Sequence, residues 1–138
     1  MSAKDTFHSA VRAALVKEGW TITHDPYTLS FGTTNVYTDL GAERPIAAER
    51  GDERIALEIK SFVGGSNVRE LEIGLGQFVL YRMLMRKVEP DRLLLLAIPE
   101  SAFKSLFEEP AGQRVIQEVD LKLVVFDPER EEVVQWLK

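Results

Sequence analysis

From Arg54 to Phe62 apolar and polar side chains alternate: Ile55, Leu57 and Ile59 against Ala56, Glu58 and Lys60. A period of two is that of a β-strand, so one face is aliphatic and packs into a core. The other face carries a carboxylate and an amine about 7 Å apart along the strand. Before it, Thr6 or Asp5 caps a helix whose apolar positions Phe7, Ala10, Val11, Ala14 and Leu15 fall at helical spacing, ended by Gly19. Trp20 to His24 alternates as a strand, Asp25-Pro26 turns the chain, and Tyr27, Leu29 and Phe31 form a further alternating patch before Gly32. Two extended pieces follow, Asn35 to Leu40 and Pro45 to Arg50. Gly51-Asp52 joins the second to the Glu58 strand as a β-hairpin.

After the Gly64-Gly65-Ser66 break the period changes. A long helix is predicted from Val68 to Arg86, with Leu71, Leu75, Phe78, Val79 and Leu84 on its apolar side. Arg92 to Ile98 is aliphatic without alternation, as befits a strand covered on both faces, and Leu121 to Phe126 is a second such strand. Between them a helix starts at Pro99-Glu-Ser101, breaks near Pro110-Ala-Gly112 and resumes to Glu118. Asp127-Pro128 turns the chain into Glu131 to Leu137, an edge strand. The order predicts an α/β protein in which an antiparallel hairpin feeds a more parallel, buried sheet.

No repeat, low-complexity tract or linker divides residues 1–138, which read as one domain able to bury roughly two-thirds of its unfolded surface. There is no cysteine, no signal-peptide core and no apolar run near the ~20 residues of a membrane span, so a cytoplasmic protein with no membrane partner is expected. A net charge of −5 argues against unaided gripping of nucleic acid, unless a local patch or a metal ion supplies positive charge.

Chemistry is expected first at Glu58 and Lys60. A Glu-x-Lys on an exposed strand face is by default cross-strand charge pairing. A second carboxylate nearby would change that. Two crowded carboxylates repel, and a divalent cation relieves them. Oxygen ligands select Mg²⁺ or Mn²⁺, and an adjacent ammonium can neutralise charge growing on phosphate oxygens. The set suits metal-assisted phosphodiester hydrolysis. Asp39, nineteen residues before Glu58 on extended chain, is the first choice for the second carboxylate; Glu43 and Glu49 are its rivals.

On the long helix Gly74, Gln77 and Tyr81 share one face, away from Arg82 and Arg86. Glycine inside a helix costs roughly 1 kcal/mol against alanine, so Gly74 and Gly76 predict close approach of another backbone. Gln77 and Tyr81 bring donors and an acceptor there, either for a site or for backbone groups where helix meets sheet. His8 and His24 read as surface residues, and Trp20 and Trp136 as core rather than stacking platforms. The basic group Arg82, Arg86 and Lys87 reads as a solvated helix face that could touch phosphate.

Asp39, Glu58-Ile-Lys60 and Gln77-x-x-x-Tyr81, in this order, resemble the metal-dependent PD-(D/E)xK, or restriction-endonuclease-like, nuclease superfamily. The Gln-Tyr pair is similar to the variant of RecB-type nucleases. Asp39-Leu-Gly-Ala-Glu43, Ile46-Ala-Ala-Glu49, Ile55 to Phe62 and Gly76-Gln-Phe-Val-Leu-Tyr-Arg82 more closely resemble XisH, the fdxN-element excision controlling factor. The superfamily resemblance implies an αβββαβ core with a mixed central sheet flanked by helices. It also implies Asp39 and Glu58 as ligands of Mg²⁺ or Mn²⁺, Lys60 at the scissile phosphate, Gln77 and Tyr81 in support, and an acidic residue of the first helix, here Glu18, joining some such sites. Thr38 stands where the superfamily pattern has proline. The XisH resemblance implies an accessory to excision of a DNA element, acting on DNA with a site-specific recombinase and a small XisI-like protein. Homo-oligomers are compatible with it.

Overall fold

The computed structural model describes residues 3–36, 45–63 and 66–138. Helix α1 (Ala3–Lys17) is followed by β1 (Thr21–His24), the hairpin strands β2 (Leu29–Phe31) and β3 (Thr34–Val36), and the hairpin β4 (Ile46–Arg50) and β5 (Glu53–Ile59). Then come α2 (Asn67–Val88), β6 (Arg92–Pro99), a short helix α3 (Glu100–Ala102), a π-helical turn (Phe103–Phe107), α4 (Pro110–Val119), β7 (Leu123–Asp127) and β8 (Glu132–Leu137). Six strands form one mixed sheet in the order β1-β4-β5-β6-β7-β8. Pairing is parallel from β5 through β6 to β7 and antiparallel elsewhere. The α/β architecture with a mixed central sheet flanked by helices is therefore the one expected.

Both faces of the sheet are covered. Val11 and Leu15 of α1 pack with Trp20 on Ile46, Ile55, Leu57, Ile59, Leu95 and Val124. Phe78, Tyr81 and Met85 of α2 pack with Ala47, Ala56, Leu94, Leu96 and Leu123 on the other face. Alternate residues of β5 thus point to opposite layers, and no side chain from Ile55 to Ser61 is left in water. Gly19, at φ +88°, ends α1 in a conformation that suits glycine, and Trp20 N–H donates back to Leu15 O at 3.0 Å. Trp20 is buried, and Trp136 packs on it with ring centroids 5.8 Å apart, so neither is an open stacking platform.

Two boundaries differ from the sequence reading. The alternating patch at Leu29 to Phe31 pairs with β3 as a separate two-stranded hairpin, so these residues are not part of the main sheet. Of the extended piece expected from Asn35 to Leu40, residues 37–40 lie outside the described residues. The helix after β6 is interrupted earlier than proline requires, by the π turn, where Glu108 N–H donates to Phe103 O. Gly112 explains the close packing that follows. A Cβ there would overlap the Leu106 carbonyl oxygen and sit 2.5 Å from Phe107 Cα, both backbone. Gly112→Ala is expected to destabilise the domain by about 1–3 kcal/mol, as overpacking against a rigid neighbour does. Urea unfolding should show a lower midpoint at unchanged slope.

Candidate functional site

The C-terminal end of β5 lies inside the molecule. In the hairpin Ile46 stands opposite Leu57 and Glu49 opposite Arg54; on the other side Glu58 lies beside Leu96 of β6 and Ile59 beside Ala97. Lys60 continues the ladder, its N–H donating to Ala97 O at 2.9 Å. Glu58 has 0% and Lys60 2% of its surface exposed, and Ser61 is also buried. Charge pairing on an open strand face is thereby excluded: the β6 neighbour of Glu58 is a leucine, and helix α2 covers this face. Withdrawing a carboxylate or an ammonium from water costs several kcal/mol unless matched by charge and hydrogen bonds. A hydrophobic pair would fill the same layer at no such cost, so packing alone does not account for these residues.

Helix α2 leaves room for the lysine. A Cβ on Gly74 would lie 3.5 Å from Lys60 Cγ and 3.9 Å from Lys60 Cε and Leu96 Cδ2. The close approach expected at Gly74 is therefore to a side chain, not to a backbone. Gly76 faces open space, which corrects the expectation for it. Gln77, one turn beyond Gly74, is half-buried, and its Oε1 is shielded from solvent with no hydrogen bond from the described residues. Tyr81 is buried in the layer between α2 and the sheet. Lys60 and the Gly74-Gln77-Tyr81 face of α2 thus belong to one layer. Substitution separates the two glycines. Gly76→Ala should stabilise by up to about 1 kcal/mol through helix propensity alone. Gly74→Ala should gain no more than that, because its methyl touches the Lys60 stem. Thermal unfolding of the two variants reads the difference.

Past Lys60 the backbone is held in an uncommon shape. Phe62 has φ +56°, a left-handed conformation that a bulky residue adopts at a cost of order 1 kcal/mol. Its ring meets Phe107 edge-on at 6.3 Å, which anchors the chain as it leaves β5. Strain of this kind gathers where a side chain must be aimed. Neither Phe62 nor the burial of Ser61 was singled out in the sequence; a Ser-Phe pair directly before a double glycine was the available signal.

The remaining candidates divide clearly. Asp39 and its rival Glu43 lie outside the described residues. Glu49 is four residues along the hairpin from Glu58, roughly 13 Å, and its carboxylate pairs with Arg54 at 3.5 Å and Arg92 at 3.7 Å. It belongs to a different cluster. Glu18 accepts from Trp136 Nε1 at 2.9 Å, on the α1 side of the sheet, and so does not join Glu58. His8 is half-buried and bonded to Asp25 at 2.8 Å rather than isolated, while His24 is exposed. Among the described residues no group of three or more His, Asp or Glu is arranged to hold a metal ion. Glu58 supplies one hard-oxygen donor of the type Mg²⁺ takes.

A second polar network had no sequence signal beyond the spacing of Glu89 and Arg92. Buried Arg92 donates from Nε to Glu89 at 2.7 Å and from Nη1 to Ile55 O at 2.9 Å, and its guanidinium lies 5.1 Å from the Tyr27 ring centre. Tyr27 Oη donates to Glu89 at 2.6 Å. Burial, then the Glu89 hydrogen bond and charge, push the Tyr27 hydroxyl up to about 12 against the partial opposition of Arg92. Burial works to raise the Glu89 carboxyl; the Tyr27 and Arg92 bonds and the Arg92 charge outweigh it and leave it low. The network ties the β2 region to the start of β6.

Comparison with known proteins places the chain in a family. The family described as XisH protein matches residues 1–134. The fold is similar to the crystal structure of an fdxN element excision controlling factor protein from Anabaena variabilis, at 43% identity over 97% of this chain and 99% of that one, with a TM-score of 0.89. An XisH family protein from Nostoc punctiforme is similar at 40% identity over 97% of this chain and 100% of that one, also with a TM-score of 0.89. No curated protein matches. No helix among the described residues is long and apolar enough to cross a membrane.

Proposed function

The chain belongs to the XisH family, and from that premise we propose that it serves DNA-element excision as a nuclease-like factor of the PD-(D/E)xK type. The observation carrying this reading is the burial of Glu58 and Lys60 side by side under α2, with Gly74 in place of a side chain over the lysine stem. Glu58, with Asp39 or Glu43, would hold Mg²⁺ or Mn²⁺, and the ion would supply Lewis-acid activation of a phosphodiester. The chain's own groups have distinct tasks. Lys60 presents its ammonium to the scissile phosphate and neutralises charge as it builds. Gln77, whose acceptor oxygen is shielded and unengaged by the described residues, and Tyr81 orient that lysine or the attacking water. Cleavage of plasmid and single-stranded DNA with Mg²⁺ or Mn²⁺, beside Glu58→Ala and Lys60→Ala, tests the proposal: activity surviving in both variants refutes it.

A second reading keeps the fold and dispenses with catalysis. On the outer side of α2, Ile73, Leu80 and Met83 are exposed beside Gly76, a stripe a partner can cover. With an overall charge of −5, this favours a regulatory protein that binds an XisI-like partner and acts through a recombinase. A stable complex, lost in Leu80→Glu, together with no cleavage by the wild type, selects this reading.

A further inference from the structure

At the other end of α2 the surface is basic. A cleft of about 310 Å³ opens where the last turns of α2 meet the start of β6 and the approach to β7; Arg82, Arg86, Arg92 and Lys122 line it, against the single carboxylate of Asp91. In a chain of net charge −5 this concentration of cations is local. Two of the four are committed: Arg92 to Glu89 and Ile55 O, and Lys122 to Asp120 at 2.9 Å. The other two are less so. Arg82, read from the sequence as solvent-facing, is half-buried; it gives one nitrogen to the Asp120 carbonyl at 2.9 Å and lies over the Phe78 ring at 4.8 Å. Arg86 is exposed and makes no ion pair with the described residues.

Arg82 and Arg86 are four residues apart on one helical face, so their side chains start about 6 Å from each other. Like charges at that spacing repel. Burial, then the charge of Arg86, hold the Arg82 guanidinium below its ordinary range, with Asp120 only partly offsetting them. An oxyanion between the two would relieve this crowding. Phosphate fits best: its oxygens match the planar guanidinium fork, and the cleft is at the lower end of the volumes small ligands occupy. Arg82 and Arg86 are roughly 12 and 18 Å along the helix from Gly74, at 1.5 Å per residue, so the cleft is separate from Glu58 and Lys60.

We propose that this cleft binds a phosphate group, held by Arg82 and Arg86 with Lys122 beside them, either as a free phosphate or as part of a nucleic-acid backbone. The inference does not rest on the nuclease reading. The test is an NMR titration of the full chain with orthophosphate at constant ionic strength, and with acetate as a carboxylate control. A parallel arm follows binding of a short oligothymidylate by fluorescence anisotropy. Saturable orthophosphate shifts at Arg86 and Lys122, weakened about tenfold or more in Arg86→Gln, are expected. If Arg86→Gln also weakens the oligothymidylate and orthophosphate competes with it, the backbone is the source; if the oligothymidylate does not bind, free phosphate is. Lys122→Gln should weaken orthophosphate binding less than Arg86→Gln does, with the shifts still confined to the cleft. Acetate shifts equal to those of orthophosphate, no saturable shift in the cleft, or equal binding by Arg86→Gln would each overturn the proposal.

Discussion

Lys60→Ala is expected to lower Mg²⁺-dependent DNA cleavage by about 10²–10³-fold, the usual effect of removing one fixed donor aimed at developing negative charge. The size follows from burial. Lys60 is 2% exposed, so its ammonium meets a phosphate in a medium less polarisable than water, where a charge is worth more. Its stem is steered by Gly74 and its backbone is fixed by the bond to Ala97 O. Lys60→Arg should restore little, because a planar guanidinium does not reproduce the compact point charge of the buried ammonium. Glu58→Gln preserves shape and removes charge, so it should abolish metal-dependent activity while far-ultraviolet circular dichroism stays as in the wild type. Asp39→Asn and Glu43→Gln then decide which residue supplies the second carboxylate: only one should match the loss seen in Glu58→Gln. Equal cleavage rates for wild type and Lys60→Ala would remove Lys60 from the chemistry.

How much of this could be read beforehand depended on the range of the interactions concerned. The aliphatic runs at Arg92 to Ile98 and Leu121 to Phe126 announce buried strands because a parallel sheet between helices is apolar on both sides. The β4-β5 hairpin follows from Gly51 (φ +58°) between two short runs. Residues 56, 58 and 60 lie on one strand face for the same reason. What the pattern hid was that this face is also covered. Glu58 and Lys60 look like surface residues in any window of sequence, and only the crossing of α2, placed by the β5-β6 parallel pairing, buries them. On the helix the expected apolar side does pack on the core, but it is not the centre of the contact. The helix's deepest residues are Gly74, Phe78, Tyr81 and Met85, whereas Leu71, Leu75, Val79 and Leu84 are only partly covered. Hydropathy points to the flank of the face, and the glycine and tyrosine at its centre carry little hydrophobic signal. The joining of Tyr27 to Glu89 spans 62 positions and leaves no periodic trace at all.

That last network should carry a large share of the stability. Arg92→Leu is expected to cost about 3 kcal/mol, the lower end of the range for removing one partner of a buried charge pair, because Arg92 is buried and Glu89 only partly so. Three groups lose a contact together: Ile55 O, which accepts from Nη1; Glu89, which accepts from Nε and keeps only the Tyr27 hydroxyl; and the Tyr27 ring under the guanidinium. For a domain of this size the midpoint of thermal unfolding should fall by about 10–15 °C. Arg92→Leu combined with Glu89→Leu should recover much of the loss, since the uncompensated carboxylate is then gone, and a double-mutant cycle measures the coupling. The alkaline limb offers an independent check. Tyr27 titrates at an ordinary 10.0 in the unfolded chain and at about 12 when folded. Its protonated form therefore contributes stability fully below pH 10, and that contribution is lost as pH climbs from 10 through about 12. Tyr27→Phe should flatten this decline in a denaturation series across the window. Arg92→Leu should steepen it, because the cation that partly lowers the Tyr27 value is gone. An Arg92→Leu protein within about 1 kcal/mol of wild type, with the same alkaline slope, would mean that the network forms without stabilising the fold.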